Sequence, residues 1–500
     1  MVNTFTHEFN NASFKGKTSF PVGLYINGEF VKGKKGQMTD VIDPTNAKKI
    51  TSVCVATKED VDITVKAAQK AFDTQWGLNC PGNQRSKLLL KLADLIEQHE
   101  DEMAALEVLN TGKPFHWAKD GDVRMALDTF RYYAGWADKI SGKVIETTNE
   151  KFAYTRHEPI GVVGQIIPWN FPFMLLSWKV APALACGNCI ILKPSEFTPL
   201  TALLFAKLAH EAGFPPGVIN ILNGTGQNVG QPIAEHMNIE KISFTGSTLT
   251  GRKIMEAAAK SNLKSVTLEL GGKSPNIIFD DADIDKAVNW ASHGVYWNVG
   301  QCCCAGTRIF VQENVYDEFL KKFTEKTKTV QVGDPFAQNT DVGALISDIQ
   351  YNRVLDFIDS GKKDGATVHY GGEKLKKEGY WIQPTIFTNT RPDMKIVQEE
   401  IFGPVCVIIK FKDDADVIRQ ANDTSYGLAA AVFSRDLDRA LQTAHKLNAG
   451  TAWVNCVNQL HAQIPFGGFK QSGIGRELGE YALENYTAIK AVHVNFGHTI

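Results

Sequence analysis

The sequence lacks a hydrophobic run of the roughly 20 residues that a bilayer-spanning helix needs. Its longest apolar stretch, residues 180–192, is interrupted by Pro182, Gly187 and Asn188. It also lacks an excess of either charge, because 53 basic and 55 acidic residues leave a formal net charge of −2. Since basic surfaces dominate nucleic-acid binding, we expect neither a nucleic acid nor a membrane as a partner.

The beginning of the chain lacks the marks of a targeting peptide. It has no apolar core of secretory type, Glu8 is acidic and the first arginine is Arg85. The nine cysteines contain a single C-x-x-C pair, Cys186 and Cys189, which indicates neither a disulfide framework nor a metal site. We therefore expect reduced thiols and a cytoplasmic protein, with the mitochondrial matrix as the alternative.

Apolar patterning predicts the fold class. A chain of 500 residues exceeds one compact core, so we expect two or three domains. From about residue 160, apolar strands such as 161–167 and 189–192 alternate with helical patterns such as 200–212. This alternation is typical of an α/β protein with a doubly wound parallel sheet. It restarts after Gly271-Gly272, where we place a domain boundary.

Signals near both ends of the chain predict local structure. Asn27-Gly28 indicates a hairpin turn, and Thr57 with Asp60 forms a capping box for a helix. Near the end, Ala488 to Val494 reads as a strand with no neighbouring partner in the sequence. Its partner is either a strand of another subunit or the isolated strand near Phe152 to His157.

The candidate nucleophile lies in a stretch with three consecutive thiols, Cys302 to Cys304, between Gly300 and Gly306. The glycines allow a tight bend and a close approach to a ligand. A catalytic thiol is therefore one interpretation, and a set of small buried apolar residues is the other. The stretch by itself does not distinguish them.

Two glycine-containing segments are candidates for a dinucleotide site. Gly246-Ser247-Thr248 follows a predicted strand and opens a helix, where backbone N–H groups and the helix dipole favour an anion. Gly224-Thr225-Gly226 is followed by Gly230, one residue too late for the G-x-G-x-x-G pattern. An ordinary cap explains the first segment equally, and a strand–helix turn is the preferred interpretation of the second.

Charged and amide side chains follow several predicted strands. Lys193 and Glu196 end a buried strand, where Glu196 would bind ribose hydroxyls and repel a 2′-phosphate. Glu269 has apolar neighbours that would raise its pKa towards the range of a general base. Asn170, fixed between Pro168 and Pro172, offers an amide donor to an oxyanion, an interaction of about 3 kcal/mol. The structural alternatives are solvated charges, an outward-facing glutamate and a plain turn.

Taken together and in this order, these segments resemble the motifs of the aldehyde dehydrogenase superfamily, and most closely its NAD-dependent, broad-specificity or retinal type. The resemblance extends from about Gly23 to Val494. It rests on residues 168–172 (PWNFP), 244–248 (FTGST), 268–273 (LELGGK), 300–306 (GQCCCAG), 400–405 (EIFGPV), 465–470 (PFGGFK) and 475–479 (GRELG).

The resemblance implies a role for each matching residue. Cys303 would be the nucleophile, Glu269 the general base for the hydrolytic water, and Asn170 with the Cys303 N–H the oxyanion hole. Lys179 and Glu477 would form a proton-relay pair. Residues expected to bind the cofactor are Ile166, Trp169, Lys193, Glu196, Gly226, Gly246, Ser247, Gly271, Gln350, Glu400 and Phe402. Those expected to line an apolar substrate tunnel are Met125, Phe171, Trp178, Phe466 and Leu460, the last at a position that is often aromatic.

The resemblance also implies the architecture and the reaction. We expect a dinucleotide-binding domain (1–140 and 159–270), a catalytic domain (271–470) and a small β oligomerisation element with the C-terminal segment (141–158 and 471–500), in a homotetramer or homodimer. The expected reaction oxidises a small-molecule aldehyde to a carboxylic acid with NAD, and with NADP as a possible secondary cofactor. The rival hypotheses are a CoA-acylating relative and a catalytically silent binding protein on the same scaffold.

Overall fold

The computed structural model describes residues 2–375, 378–497 and 499. Met1, and His498 and Ile500 of the predicted C-terminal segment, lie outside the described residues. None of the helices in these ranges is both long and apolar enough to cross a membrane.

The strands form five sheets. In chain order they are β1 Thr4–Asn10, β2 Lys15–Pro21, β3 Leu24–Ile26, β4 Glu29–Val31, β5 Met38–Asp43, β6 Lys48–Cys54, β7 Val144–Ile145, β8 Lys151–Pro159, β9 Val162–Ile166, β10 Cys189–Lys193, β11 Ile219–Ile221, β12 Lys241–Thr245, β13 Ser265–Glu269, β14 Pro275–Ile278, β15 Arg308–Gln312, β16 Thr367–Tyr370, β17 Thr385–Thr388, β18 Val405–Phe411, β19 Ala429–Phe433, β20 Thr451–Val454, β21 Gly473–Ile474 and β22 Thr487–Asn495.

Helices cover the faces of the larger sheets. In chain order they are α1 Lys58–Thr74, α2 Gly82–Gln98, α3 Glu100–Thr111, α4 Phe115–Trp117, α5 Arg124–Trp136, α6 Pro172–Ala185, α7 Leu200–Ala212, α8 Gln231–Glu235, α9 Thr248–Lys260, α10 Ile284–Tyr296, α11 Tyr316–Lys328, α12 Asp348–Lys363, α13 Lys395–Gln398, α14 Asp414–Asn422, α15 Leu437–Lys446 and α16 Tyr481–Glu484.

The first large sheet has the strand order β21-β13-β12-β9-β10-β11-β3-β4. Its five central strands, β13 to β11 in that order, are parallel, and the outer strands are antiparallel. Strands β9, β10 and β12 are buried along their whole length, as expected when helices cover both faces. The predicted doubly wound sheet is confirmed.

The second large sheet, β16-β17-β18-β15-β14-β19-β20, is parallel except for its edge strand β16. Its first strand in the sequence, β14, begins shortly after Gly271-Gly272, which therefore separates the two sheets in the chain. Strand β21, from the predicted C-terminal segment, returns to the first sheet as the neighbour of β13. The division into three domains stays a prediction.

The late strand finds its partner within the same chain. Strand β22 pairs antiparallel with β8 from Thr487↔Pro159 to Asn495↔Lys151, and β7 adds a third strand. Of the two pairings considered from sequence, the structure has the one with the isolated strand around residues 152–157.

The local predictions near the beginning of the chain are confirmed. Strands β3 and β4 form a hairpin in which Asn27 and Gly28 both have positive φ. Thr57 caps α1, with reciprocal hydrogen bonds between its side chain and Asp60. These local signals are reliable because each one is contained in four or fewer consecutive residues.

Candidate active site

Parallel strands of the first sheet deliver several predicted site residues to one edge. Ile166 ends β9, Lys193 ends β10 and Glu269 ends β13, while Gly246 follows the last residue of β12. Strands β9 and β12 are parallel neighbours although they are distant in sequence, so the order in which strands are added to the sheet reverses between them. Ligands of open α/β sheets bind at the carboxyl ends of the strands, at such a switch point.

Gly271 and Gly272 bring three of the sequence motifs into contact. A Cβ on Gly271 would collide with the Glu400 carboxylate, and one on Gly272 would collide with the Cys303 carbonyl oxygen. The Gly272 N–H donates to Glu400 Oε1 at 3.0 Å. The two glycines are thus required because the backbone passes directly between Glu400 and the segment of residues 300–306, which we call the thiol loop.

The thiol loop follows a strained backbone segment. Asn298 and Val299 have φ of 51° and 62°, which is an outlier for a β-branched residue such as valine. Cys302 and Cys304 are buried, with their sulfurs 3.4 Å apart, whereas Cys303 is partly exposed. Contact with the Cys302 sulfur, together with burial, raises the pKa of the Cys303 thiol. Among the three thiols, Cys303 is therefore the one that a ligand can reach.

Asn170 lies against this loop. Its Nδ2 donates to the Gln301 carbonyl at 3.1 Å, and its Oδ1 has no partner among the described residues. The Asn298 amide donates to the carbonyls of both Asn170, at 2.8 Å, and Gln301, at 3.1 Å. The predicted oxyanion amide and the thiol loop are consequently joined by direct hydrogen bonds.

Glu269 is buried at the end of β13, 5% exposed, and its Oε2 lacks a hydrogen-bond partner within the described ranges. Burial raises its pKa well above the usual range, and the negative charge of Glu477 adds to that effect while Lys179 opposes it. The charge of Cys303 also raises the pKa of Glu269. The acid and the thiol are therefore close enough to affect each other's protonation.

Lys179 and Glu477 form a buried ion pair behind Glu269. Ser243 contacts both partners, at 3.3 Å from the lysine Nζ and 3.4 Å from Glu477 Oε1. Glu477 Oε2 has no partner in the described part of the chain. The pair thus retains a free acceptor atom.

A narrow apolar cavity lies at Cys303. Its wall includes Glu269 and four of the residues predicted to line the substrate tunnel, namely Phe171, Trp178, Leu460 and Phe466. Trp178 and Phe466 meet edge to face with their ring centroids 5.4 Å apart. The structure adds residues that sequence reasoning missed: Met174, Leu175, Thr245 and Trp297.

The missed cavity residues differ in how far the sequence could reveal them. Met174 and Leu175 share a helical face with Phe171 and Trp178 at spacings of three, four and seven residues, a signal that could have found them. Trp297 has no such periodic signal. Met125 packs against the same apolar core but is not among the residues that form the cavity wall.

The residues predicted to bind a cofactor form two groups. In the first, Lys193 is buried and its Nζ lies 3.2 Å from Glu196 Oε2. Ser247 caps α9 by accepting from the Thr250 N–H at 3.2 Å, which confirms the predicted cap. Gly226 is exposed, and a Cβ there would meet nothing within 4 Å.

The second group lies beside the thiol loop. Trp169 and Phe402 meet edge to face at 5.3 Å, and Phe402 has a positive φ of 61°. Gln350 holds this conformation, since its Nε2 donates to the Phe402 carbonyl at 2.7 Å. Burial raises the pKa of Glu400 to about 7.

Comparison with known proteins agrees with this geometry. The model of the aldehyde dehydrogenase family matches residues 30–492. An aldehyde dehydrogenase of Agaricus bisporus is 62% identical over 99% of both chains, and the mitochondrial benzaldehyde dehydrogenase of Antirrhinum majus is 50% identical over 94% of this chain and 88% of its own. The structure of an NAD⁺ complex of aldehyde dehydrogenase from Bacillus cereus superimposes with a TM-score of 0.94 at 48% identity, covering 95% of this chain and 97% of that one. The chain belongs to the aldehyde dehydrogenase family.

Proposed function

We propose that this protein oxidises an aldehyde to a carboxylic acid, with NAD as the electron acceptor and water as the source of the second oxygen. The observation that carries the proposal is the meeting of Cys303 and Glu269 at one apolar cavity, with Asn170 hydrogen-bonded to the Gln301 carbonyl of the thiol loop. A thiol, an amide donor and a buried carboxylate are the groups that acyl transfer through a thioester requires.

Cys303 acts as the nucleophile. Its sulfur adds to the aldehyde carbon, and the carbonyl oxygen becomes the oxyanion of a thiohemiacetal. Asn170 donates its amide N–H to that oxygen, aided by the backbone N–H of Cys303. Because the Asn170 side chain is buried and already held by the thiol loop, it needs little reorganisation during the reaction.

Glu269 acts as the base for the hydrolytic water. The charge of Cys303 raises the pKa of Glu269, so a negative charge on the sulfur disfavours a second one on the carboxyl group. Once the sulfur is bound in a thioester, it no longer carries charge. The pKa of Glu269 then falls, and the carboxylate becomes available to take a proton from water when deacylation needs it.

NAD fits the residues at the carboxyl edge of the first sheet, and when bound it supplies the acceptor for the hydride of the thiohemiacetal. Lys193 and Glu196 are positioned for the adenosine ribose, and the N-terminus of α9 at Gly246 and Ser247 for the pyrophosphate. Glu400, with Phe402 and Trp169 beside it, is positioned for the nicotinamide ribose. The open space at Gly226 and the close approach at Gly271 support this fit. Ile166 and Gln350 complete the set.

Lys179 and Glu477 carry protons away from Glu269. The free Oε2 of Glu477 supports this role, because a saturated ion pair could not accept another proton. The substrate is an apolar aldehyde held between aromatic rings, as the cavity of Phe171, Trp178 and Phe466 favours. Leu460 lines the same cavity, and the role of Met125 in the substrate tunnel stays a prediction.

The experiment that tests the proposal compares two variants. Cys303→Ala should abolish NADH formation from acetaldehyde, and retained oxidation would contradict the role of the thiol. Glu269→Gln should keep a first burst of NADH but lose steady turnover at neutral pH, because acylation continues while the thioester accumulates. Product analysis decides the rivals, since a CoA-acylating enzyme yields acyl-CoA and a silent scaffold yields no NADH.

We further propose the three-domain division given above and a cytoplasmic homotetramer or homodimer. All nine cysteines are free, which favours a reducing compartment. The sheet of β22, β8 and β7 supports oligomerisation, because β22 is an edge strand among the described strands and most of its residues are exposed. Light scattering of the purified protein measures the number of subunits.

A further inference from the structure

The backbone carbonyl of Asn170 accepts two buried hydrogen bonds. Lys113 Nζ donates to it at 2.8 Å, and the Asn298 amide donates at the same distance. Lys113 is 1% exposed, so its ammonium is withdrawn from water. A buried cation therefore binds the backbone carbonyl of the same residue whose side-chain amide is the predicted oxyanion donor.

A second buried residue holds Lys113 in place. Asp122 forms an ion pair with the ammonium through one oxygen and accepts the Met174 N–H at 3.3 Å through the other. The ammonium also lies 4.5 Å from the ring centroid of Phe171. Lys113 and Asp122 thereby contact residues 170–174 at three points, which are the Asn170 carbonyl, the Phe171 ring and the Met174 N–H at the start of α6.

The ion pair gives little stability on its own. Removing two charges from water costs several kcal/mol per ion, and well-packed apolar residues of similar volume are often equally stable. Lys113 follows Gly112, whose φ of 75° ends α3 and turns the chain inward. The fold thus places a charge that is costly to bury on the Asn170 carbonyl, which indicates that the position of this carbonyl matters.

We propose that Lys113 is a positioning residue for Asn170, with Asp122 orienting Lys113. The inference rests on the proposed role of Asn170 as an oxyanion donor. Lys113 and Asn298 fix the Asn170 carbonyl, and this fixes the Cα from which the amide projects towards Cys303. Catalytic groups must be held within about 0.5 Å of the productive position, so a loose carbonyl weakens the oxyanion interaction.

The experiment separates positioning from charge balance. The double variant Lys113→Met/Asp122→Asn removes both charges and leaves neither one unpaired. Its melting temperature should therefore lie within a few degrees of that of the wild type. The value of kcat/KM and the rate of the NADH burst should nevertheless fall about 10- to 100-fold, because the loss of a whole oxyanion donor costs about 10²- to 10³-fold. Recovery of both stability and rate would overturn the inference.

Two further variants make the test independent of the first. Asn298→Ala removes the other donor to the same carbonyl without altering any charge, and it should lower the burst rate while leaving NAD affinity unchanged. An unaltered rate would contradict the proposal. Lys119→Met, which removes a lysine at the protein surface paired with Asp101 at 2.6 Å, is the control and should behave as the wild type.

A cycle with Asn170→Ala completes the design. If Lys113 acts through Asn170, the Lys113→Met/Asp122→Asn pair should cause no further loss of rate in the Asn170→Ala background. Additive losses would mean that Lys113 acts elsewhere. The wild type must first form NADH from an aldehyde; if it does not, the proposed function itself fails, an outcome distinct from additivity.

Discussion

Two buried lysine–carboxylate pairs involve α6, since Asp122 accepts a hydrogen bond at its start and Lys179 belongs to it. The two carboxylates differ in how many of their oxygens are hydrogen-bonded. Asp122 uses one oxygen for Lys113 and the other for the Met174 N–H. Glu477 uses only Oε1, for Lys179 and Ser243, and its Oε2 is free of partners among the described residues. A carboxylate with both oxygens hydrogen-bonded holds its partners in position, and we call its ion pair saturated. A carboxylate with one unpaired oxygen can also accept a proton there. Burial of an ion pair therefore does not by itself reveal its function.

The largest expected effect is a difference between the two pairs in the stability that is lost when the lysine is removed. Lys113→Met leaves Asp122 as a buried unpaired charge and should reduce the free energy of unfolding by about 3–5 kcal/mol. Lys179→Met should cost less, because the Glu477 side chain is less completely buried, 6% exposed against 0% for Asp122. Urea unfolding of both variants measures the difference, and a larger loss for Lys179→Met would break the comparison. Asp122→Asn and Glu477→Gln, added to the respective lysine variants, serve as charge-matched controls.

The next effect concerns the pH dependence of turnover. Glu269 works as a base only when deprotonated, so kcat should rise with pH through its pKa. Glu477 raises that pKa and Lys179 lowers it. Glu477→Gln should therefore move the acidic limb of the kcat profile to lower pH, and Lys179→Met should move it to higher pH. Loss of the relay should also lower kcat by at least tenfold in both variants.

The other pair supplies the control for this profile. Asp122→Asn should leave the acidic limb close to the wild-type pH, because the main causes of the pKa shift of Glu269 are burial, Glu477 and Lys179. Shifts in the same direction for Glu477→Gln and Lys179→Met would contradict the assignment of Glu269 as the titrating base.

A smaller effect should appear at Glu107, which lies beside the saturated pair. Burial and the charge of Asp122 raise its pKa from 4.5 to about 8, while Lys113 opposes the shift. A carboxyl group with a raised pKa stabilises the fold fully below its unfolded pKa, and this contribution is lost as pH rises towards 8. Glu107→Gln should remove about 1–2 kcal/mol of that pH-dependent loss. Urea unfolding at pH 5 and pH 8 measures it, and an unchanged slope would contradict the shift.

The smallest effect should come from Leu460→Phe, at the cavity wall. A larger ring narrows the entrance, so kcat/KM for bulky aldehydes should fall relative to acetaldehyde by about tenfold or less. The melting temperature and the acidic limb of kcat should not move. A shift in either would show that the cavity wall and the buried pairs are coupled.

How much the sequence predicts depends on how locally each feature is encoded. The helix Leu200–Ala212 was predicted with the observed bounds, because its apolar face and the terminal Gly213 are contiguous in the chain. The parallel direction of β9, β10 and β12 followed from buried runs separated by helices, whereas their order in the sheet was not predicted. The roles of Cys303 and Glu269 came from motif resemblance and stay predictions.

The remaining features depend on contacts between distant residues. Lys113 lies 57 residues from Asn170 in the sequence, and Asp122 lies 52 residues from Met174. No periodic pattern or turn signal joins such positions, so a lone lysine reads as an exposed charge. The pairing of β22 was left between two alternatives for the same reason, because sequence does not encode whether a late strand folds back or crosses to another subunit.

The strained backbone at Asn298 and Val299 has a consequence for how the chain matures. Two successive left-handed residues are unfavourable in isolation, and the Asn298 amide holds them only by binding the carbonyls of Gln301 and Asn170. Asn170 belongs to the other sheet's edge, so the thiol loop can adopt its shape only after the two halves of the chain have docked. We expect a newly synthesised chain to lack the shaped thiol loop and the adjacent Asn170 amide until that docking is complete. The site for aldehyde addition would thus form late, when the thiols on either side of Cys303 are already buried.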